Sequence, residues 1–198
     1  MSEPANRPFS DDLEAWLKAP GDKTLGDLTE VFEEKSFAIA LMLLMFTSAL
    51  PVPTGGITHV FELIAMLLAL EMIFGRRTIW LPDRFRHRKL GPTTTEKAVP
   101  FIARRVRWFE RFARARLASV LQSRAAISAL GVVVLLFTIG AFVAPPFTGL
   151  DTLPSLGVVV IALSLILEDV LVTIIGIVIG AAGIALEFVL GSAILHFL

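Results

Sequence analysis

The feature that most constrains this chain is a break inside an apolar run. Residues 37–74 are almost unbroken in hydrophobicity except at Leu50-Pro51-Val52-Pro53-Thr54-Gly55-Gly56-Ile57-Thr58. Proline lacks a backbone N–H and glycine carries no steric bias, so such a cluster ends a helix. At membrane depth, backbone freed from helical bonding is tolerated only against protein or a wet cavity. The break also has an echo. Pro145-Pro146-Phe147-Thr148-Gly149-Leu150-Asp151-Thr152 repeats the spacing Pro-x-x-Thr-Gly-x-x-Thr 94 positions later, and an apolar segment follows each copy. The pattern predicts a two-fold internal repeat with a broken helix in each half. In repeat-built transport folds, such paired breaks point to a binding site.

Composition sets the class. At 198 residues, 55% hydrophobic and with a mean hydropathy of +0.76, the chain reads as an all-α integral membrane protein. It has no cysteine, which excludes disulfides, thiolate metal sites and cysteine nucleophiles. Residues 1–35 are polar, with no apolar core of the signal-peptide kind. The net charge of zero conceals two opposed blocks. Residues 1–35 carry nine acidic side chains against four basic ones. Within them, 11–17 suits a short helical turn, and Thr24-x-x-Asp27 resembles a capping box ahead of an apolar stripe of Leu25, Leu28, Val31 and Phe32. Residues 1–36 are therefore an acidic segment with an amphipathic helix, and 37–198 a single membrane domain.

That domain divides into four parts. Residues 37–75 form the first broken hairpin. Its first arm, 37–50, reaches about 21 Å at ~1.5 Å per residue, short of a ~30 Å hydrocarbon core. Such arms suit a re-entrant hairpin better than two full spans. Glu62 and Glu71 lie in the second arm, where a carboxylate faces a cavity or a cation. Residues 76–124 hold 14 of the 18 lysines and arginines, which places them in the cytoplasm. There, 100–122 reads as a basic amphipathic helix. Ile102, Val106, Phe109, Ala113, Leu117 and Val120 make its apolar face, which lies flat in an anionic leaflet. The adjoining membrane segments argue against nucleic acid as the partner of these arginines. Residues 125–169 form the second broken hairpin. Its end carries Glu168-Asp169 where the first carries Gly75-Arg76, so opposite charges stand at matching places. Residues 170–198 are a transmembrane helix. Gly176, Gly180, Gly183, Glu187 and Gly191 share one of its faces, a spacing that lets another helix approach closely and favours a homodimer.

These landmarks resemble the ExoD family of bacterial exopolysaccharide-synthesis membrane proteins. The matching features begin with Thr24-Leu25-Gly26-Asp27-Leu28 and Ala49-Leu50-Pro51-Val52-Pro53. They continue through Phe74-Gly75-Arg76-Arg77-x-x-Trp80-Leu81-Pro82, the arginine-rich helix, Pro145-Pro146-Phe147 and Leu167-Glu168-Asp169. Their order and spacing over residues 24–192 carry the likeness. The resemblance implies a multi-pass protein of the bacterial inner membrane associated with exopolysaccharide production. It implies no catalytic residue.

The residues themselves carry no enzyme signature. His59, His87 and His196 are scattered, no His/Glu pair has metal-ligand spacing, and Gly55-Gly56 is followed by no phosphate-loop lysine. Neither a cofactor nor a metal is expected. A hydrogen bond is the expected role of His59, beside the first break. The ligand-binding candidates at the first hairpin are Pro51, Pro53, Thr54, Gly55, Thr58, Glu62, Glu71, Arg76 and Arg77. At the second they are Pro145, Thr148, Gly149, Asp151, Thr152, Glu168 and Asp169, with Glu187 on the last helix. The threonines serve equally well as helix caps. Free N–H groups at each half-helix suit an anion. Three functions follow. The protein translocates an anionic lipid carrier or sugar-lipid through the paired breaks, with Arg76 and Arg77 attracting phosphate and Glu62, Glu71 or Glu187 carrying protons. Alternatively it is a non-transporting scaffold or regulator of polysaccharide assembly, or a small ion or proton pathway.

Overall fold

In the computed structural model, residues 8–196 are described except for 22, 25, 28–31, 33–34, 51–56, 77, 81–85, 88, 92–93, 112–117 and 146–147. The backbone alone is described at 57, 94, 98, 118–119 and 191–196. The described residues are all-helical. The helices are α1 (Phe9–Lys18), α2 (Ser36–Ser48), α3 (Ile57–Ile73), α4 (Val99–Glu110), α5 (Arg124–Val143), α6 (Thr152–Leu167) and α7 (Val170–His196). A π-helical turn, Thr94–Ala98, leads into α4.

The two proline-glycine segments end helices as expected: α2 stops at Ser48 and α5 at Val143. Two helices are long and apolar enough to cross a membrane, α5 with 20 residues and α7 over Val170–Leu190. Only 33% and 22% of those apolar windows are buried inside the protein. A core helix of a water-soluble protein hides its apolar side chains. Here Leu136, Ile139, Ile174, Ile175, Val178 and Phe188 face outward, a surface that suits a lipid solvent.

Partner choice follows residue size. The first arm of one hairpin packs on the second arm of the other, α2 on α6 and α3 on α5, and α7 closes over α6. α2 and α6 run antiparallel, since Lys35 ahead of α2 reaches the Ile166 carbonyl near the end of α6. α3 and α5 are also antiparallel: Gly131, early in α5, lies against the backbone of Ala69 and Ile73 late in α3. The α6–α7 seam is the closest. Gly157 faces the backbone of Gly176 and Gly180, and Gly183 faces the Pro154 ring. Lipid tails give helices no hydrophobic reason to associate, so close van der Waals contact through small residues holds such a seam. The glycine face of the last helix is thus occupied inside the protomer. Gly176 and Gly183 meet α6, and Gly180 meets the Phe137 ring of α5.

The N-terminal segment and the basic block also meet each other. Thr24 and Asp27 form the expected capping box, each backbone N–H donating to the other's side chain at 3.1 Å. Leu25, Leu28 and Val31 lie outside the described residues, while Phe32 is buried with its ring edge-on to Phe9 and Trp16. Of the expected helix over 100–122, the described residues show α4 to Glu110 and a four-residue helix, Ala118–Leu121, with 112–117 between them outside the described residues. The buried face of α4 is Val99, Ile102, Ala103 and Val106; Phe109 and Val120, assigned to that face, are exposed. Ala113 and Leu117 lie outside the described residues.

α1 lies against α4. Arg107 donates to Asp11 at 2.8 Å and stands 2.9 Å from Glu14, while Ser10 bonds Glu110. Phe101 stacks on Phe46 of α2, with ring centroids 5.4 Å apart. The apolar face of α4 is therefore covered by protein, with Arg104, Arg105 and Trp108 left on its exposed side.

Candidate functional site

Antiparallel packing sorts the candidate residues to two ends of one helical unit. The described residues flanking the breaks fall at one end and those of the hairpin closures at the other, so no single cavity holds all the described candidates. Pro51, Pro53, Thr54, Gly55 and Arg77 lie outside the described residues.

The break end is rich in carboxylates. Glu62, one turn into α3, is wholly buried. One of its oxygens accepts a hydrogen bond from the Ser48 hydroxyl at the end of α2, at 3.1 Å. The other stands 3.1 Å from Nδ1 of His59, and neither of those two atoms has a hydrogen-bond partner. The His59 ring packs against Phe142, near the end of α5, at 5.3 Å between centroids. Thr58 beside it is buried.

From the second break come Thr148, Gly149, Asp151 and Thr152. The Thr148 hydroxyl donates to the Pro145 carbonyl at 2.7 Å and accepts from the Leu150 N–H, closing a local turn. Gly149 takes φ +71°, a left-handed conformation that a side chain resists. Asp151 lies within electrostatic reach of His59, Glu62 and Glu187. Burial pushes its carboxyl above the usual range. Thr152 and the fully buried Ser155 leave their hydroxyls without a partner, as does one oxygen of Glu187.

The closure end is different in character. A cavity of about 280 Å³ opens among the start of α2, the end of α3, the start of α5 and the end of α6. Lys35, Arg76 and Glu168 supply its charges, with apolar walls from Phe37, Met72 and Leu165. Lys35 donates to the Ile166 carbonyl, stands 3.4 Å from Glu168 and caps the Phe9 ring at 5.5 Å. Among the described residues, the ion-pair partner of Glu168 is Lys35. It also holds φ +56°, uncommon away from glycine, and such strained residues gather at ligand sites. Asp169 begins α7, its carboxylate accepting the Leu171 N–H at 2.9 Å. Glu71 accepts the Trp80 N–H at 2.8 Å and fastens the chain that follows α3.

Sequence reasoning missed Lys35 and Ser48. Both sit at the rims of the first apolar arm, the one cation before it and a serine just ahead of the break, and that position was the available signal.

Two membrane-length helices with outward apolar faces, a buried carboxylate, Glu62, at one end and a cavity lined by Lys35, Arg76 and Glu168 at the other describe a helical membrane protein. A family model for exopolysaccharide synthesis, ExoD, matches residues 9–189, and the chain belongs to that family. An uncharacterized protein of Synechocystis sp. is 29% identical over 152 residues, covering 75% of this chain and 69% of its own. No solved structure matches. Membership associates the protein with exopolysaccharide synthesis, as the family likeness implied.

Proposed function

We propose that this protein serves exopolysaccharide synthesis by taking an anionic, phosphate-bearing lipid or sugar-lipid headgroup into the Lys35/Arg76 cavity and passing it across the membrane. The observation that carries the reading is the cavity itself. It sets two cations, Lys35 and Arg76, against one carboxylate, Glu168, among apolar walls, a net positive lining that suits a phosphate on a hydrocarbon chain. The break end, with Glu62, Asp151 and Glu187, repels such an anion, so the headgroup enters at the closure end. The crossed pairing of the two hairpins, first arm on second, is the arrangement an approximate two-fold repeat produces, and it supplies two half-units that can rock against each other.

In this reading the first arm of the second hairpin is a full span rather than re-entrant. α5 has 20 residues, about 30 Å at ~1.5 Å per residue, enough to cross the hydrocarbon core. Its end touches His59, so both breaks stand at the membrane face opposite Arg124. A single cysteine at Leu150, in a chain that has none, is expected to react with an impermeant reagent from the periplasmic side. Protection in intact cells, with labelling only after lysis, restores the re-entrant version.

Transport is tested in proteoliposomes loaded with a fluorescent polyprenyl-phosphate lipid, scored by chemical quenching of the outer leaflet. Wild-type protein is expected to expose the inner pool at least several-fold faster than protein-free vesicles. Arg76→Gln and Lys35→Gln should each lower that rate while leaving the fold intact. Wild-type vesicles no faster than empty ones overturn the transport reading and leave a scaffold of polysaccharide assembly.

A further inference from the structure

α4 lies along the flank of the bundle rather than across its end. Its last residue, Glu110, bonds Ser10 of α1, and the neighbouring Phe9 ring sits under Lys35 at the start of α2. Near its other end Phe101 packs on Phe46, late in α2. α4 therefore runs beside α2 in the opposite direction, and it also touches α6. Lys35 and Phe46 stand about 16 Å apart along the α2 axis at ~1.5 Å per residue, half of a ~30 Å hydrocarbon core. α2 follows α6 and α6 follows the membrane-length α7, so this distance is depth.

What α4 turns outward is unlike the apolar faces of α5 and α7. Val99, Ile102, Ala103 and Val106 are buried, and on the opposite face Phe101, Arg104, Arg105, Trp108 and Arg111 are exposed at helical spacing. The Arg105 guanidinium stacks on the Phe101 ring at 5.1 Å, and the Trp108 ring stands edge-on to Phe109 at 4.8 Å. Arg107, at the edge of the buried face, meets Asp11 and Glu14. Among the described residues Arg104, Arg105 and Arg111 have no acidic partner. A guanidinium beside lipid tails is costly unless its long stem carries it to an anion or to water. The described protein offers no carboxylate to this stripe, so the anion comes from the bilayer. Phosphate is the group that a leaflet presents there, and a guanidinium binds it bidentately. Trp108 beside the arginines suits the headgroup boundary.

We propose that the outer stripe of α4 binds the headgroup phosphate of an anionic phospholipid in the leaflet at the closure end. Arg104, Arg105 and Arg111 take the phosphate, while Phe101 and Trp108 lie against the acyl chains. Cations without counter-charge favour a lipid of net negative charge over a zwitterionic one, whose own cation they repel. None of these residues lines the Lys35/Arg76 cavity, so the surface is separate from it and does not rest on the transport reading.

The test reads Trp108 fluorescence in the full chain, held in lipid nanodiscs. Trp80→Phe removes the other exposed indole. Trp16 is buried under α1 and gives a background that the Trp80→Phe/Trp108→Phe protein measures. Phospholipids brominated on their acyl chains quench an indole they touch. Brominated phosphatidylglycerol and brominated phosphatidylcholine are compared at equal minor mole fraction in a host of unlabelled phosphatidylcholine. The anionic lipid should quench Trp108 about twofold more or better at low salt. Arg104→Gln combined with Arg105→Gln, both at exposed positions, should bring the two lipids to equal quenching while each still quenches. Arg111→Gln, just past the helix end, should narrow the difference by less. Equal quenching by the two lipids with the arginines intact, an excess that survives the double substitution, or a Trp108 that neither lipid quenches overturns the proposal.

Discussion

Gly157→Ala is expected to destabilise this protein strongly. A Cβ at Gly157 would stand 2.6 Å from the Cα and 2.7 Å from the nitrogen of Gly180. Those are backbone atoms of a 27-residue helix, so no side chain can swing aside and the α6–α7 seam must open. Overpacking of this kind costs roughly 1–3 kcal/mol. The seam carries more than its share, because in lipid the lost close contact is not replaced by a hydrophobic force. Gly91→Ala is the control, since a Cβ there meets nothing within 4 Å. Unfolding in detergent micelles, by heat or by added dodecyl sulfate, should show an early transition for Gly157→Ala and an unchanged one for Gly91→Ala. Equal transitions for the two would mean that the seam does not hold the fold.

Glu62→Ala should produce the second large loss. It removes the acceptor of the Ser48 hydroxyl and the neighbour of His59 Nδ1, and leaves a hole at a site with no solvent exposure. A buried polar group left unsatisfied costs about 1–3 kcal/mol, and the unfilled volume adds to it, for a total of roughly 2–4 kcal/mol. Glu62→Gln keeps volume and an acceptor oxygen, so it should retain most of the stability while losing the charge. The same unfolding measurement ranks the pair. If alanine and glutamine prove equally stable, the Ser48–Glu62–His59 arrangement contributes little to the fold.

The two variants also separate the two ends of the molecule. Neither touches Lys35 or Arg76, so a folded Glu62→Gln protein should still take the phosphate lipid into the cavity at the closure end. Loss of lipid entry in that variant would mean the ends act as one site.

Much of this protein was decided residue by residue. Proline and glycine at the two breaks end helices wherever the chain goes, and α2 and α5 stop there. The apolar length of residues 124–143 and 170–190 sets two membrane-length helices without reference to neighbours. The Thr24–Asp27 capping box closes within four residues and was equally legible. What the sequence could not decide was partnership. The glycine spacing on α7 announces a close helix contact but is the same for a second copy as for α6, and only the packing assigns it to Gly157 and Pro154. Charge was subject to the same limit. Arg76 stands at the place matching Glu168, yet Lys35, 133 positions away, meets that carboxylate because α2 lies antiparallel against α6. The basic helix likewise hides its apolar face under α1, since Asp11 and Glu14 lie within reach of Arg107. The division of the candidates between two ends of the bundle belongs to the tertiary structure alone. Helix breaks and lengths are local properties of the chain, whereas which charges share a cavity depends on the direction in which distant helices run.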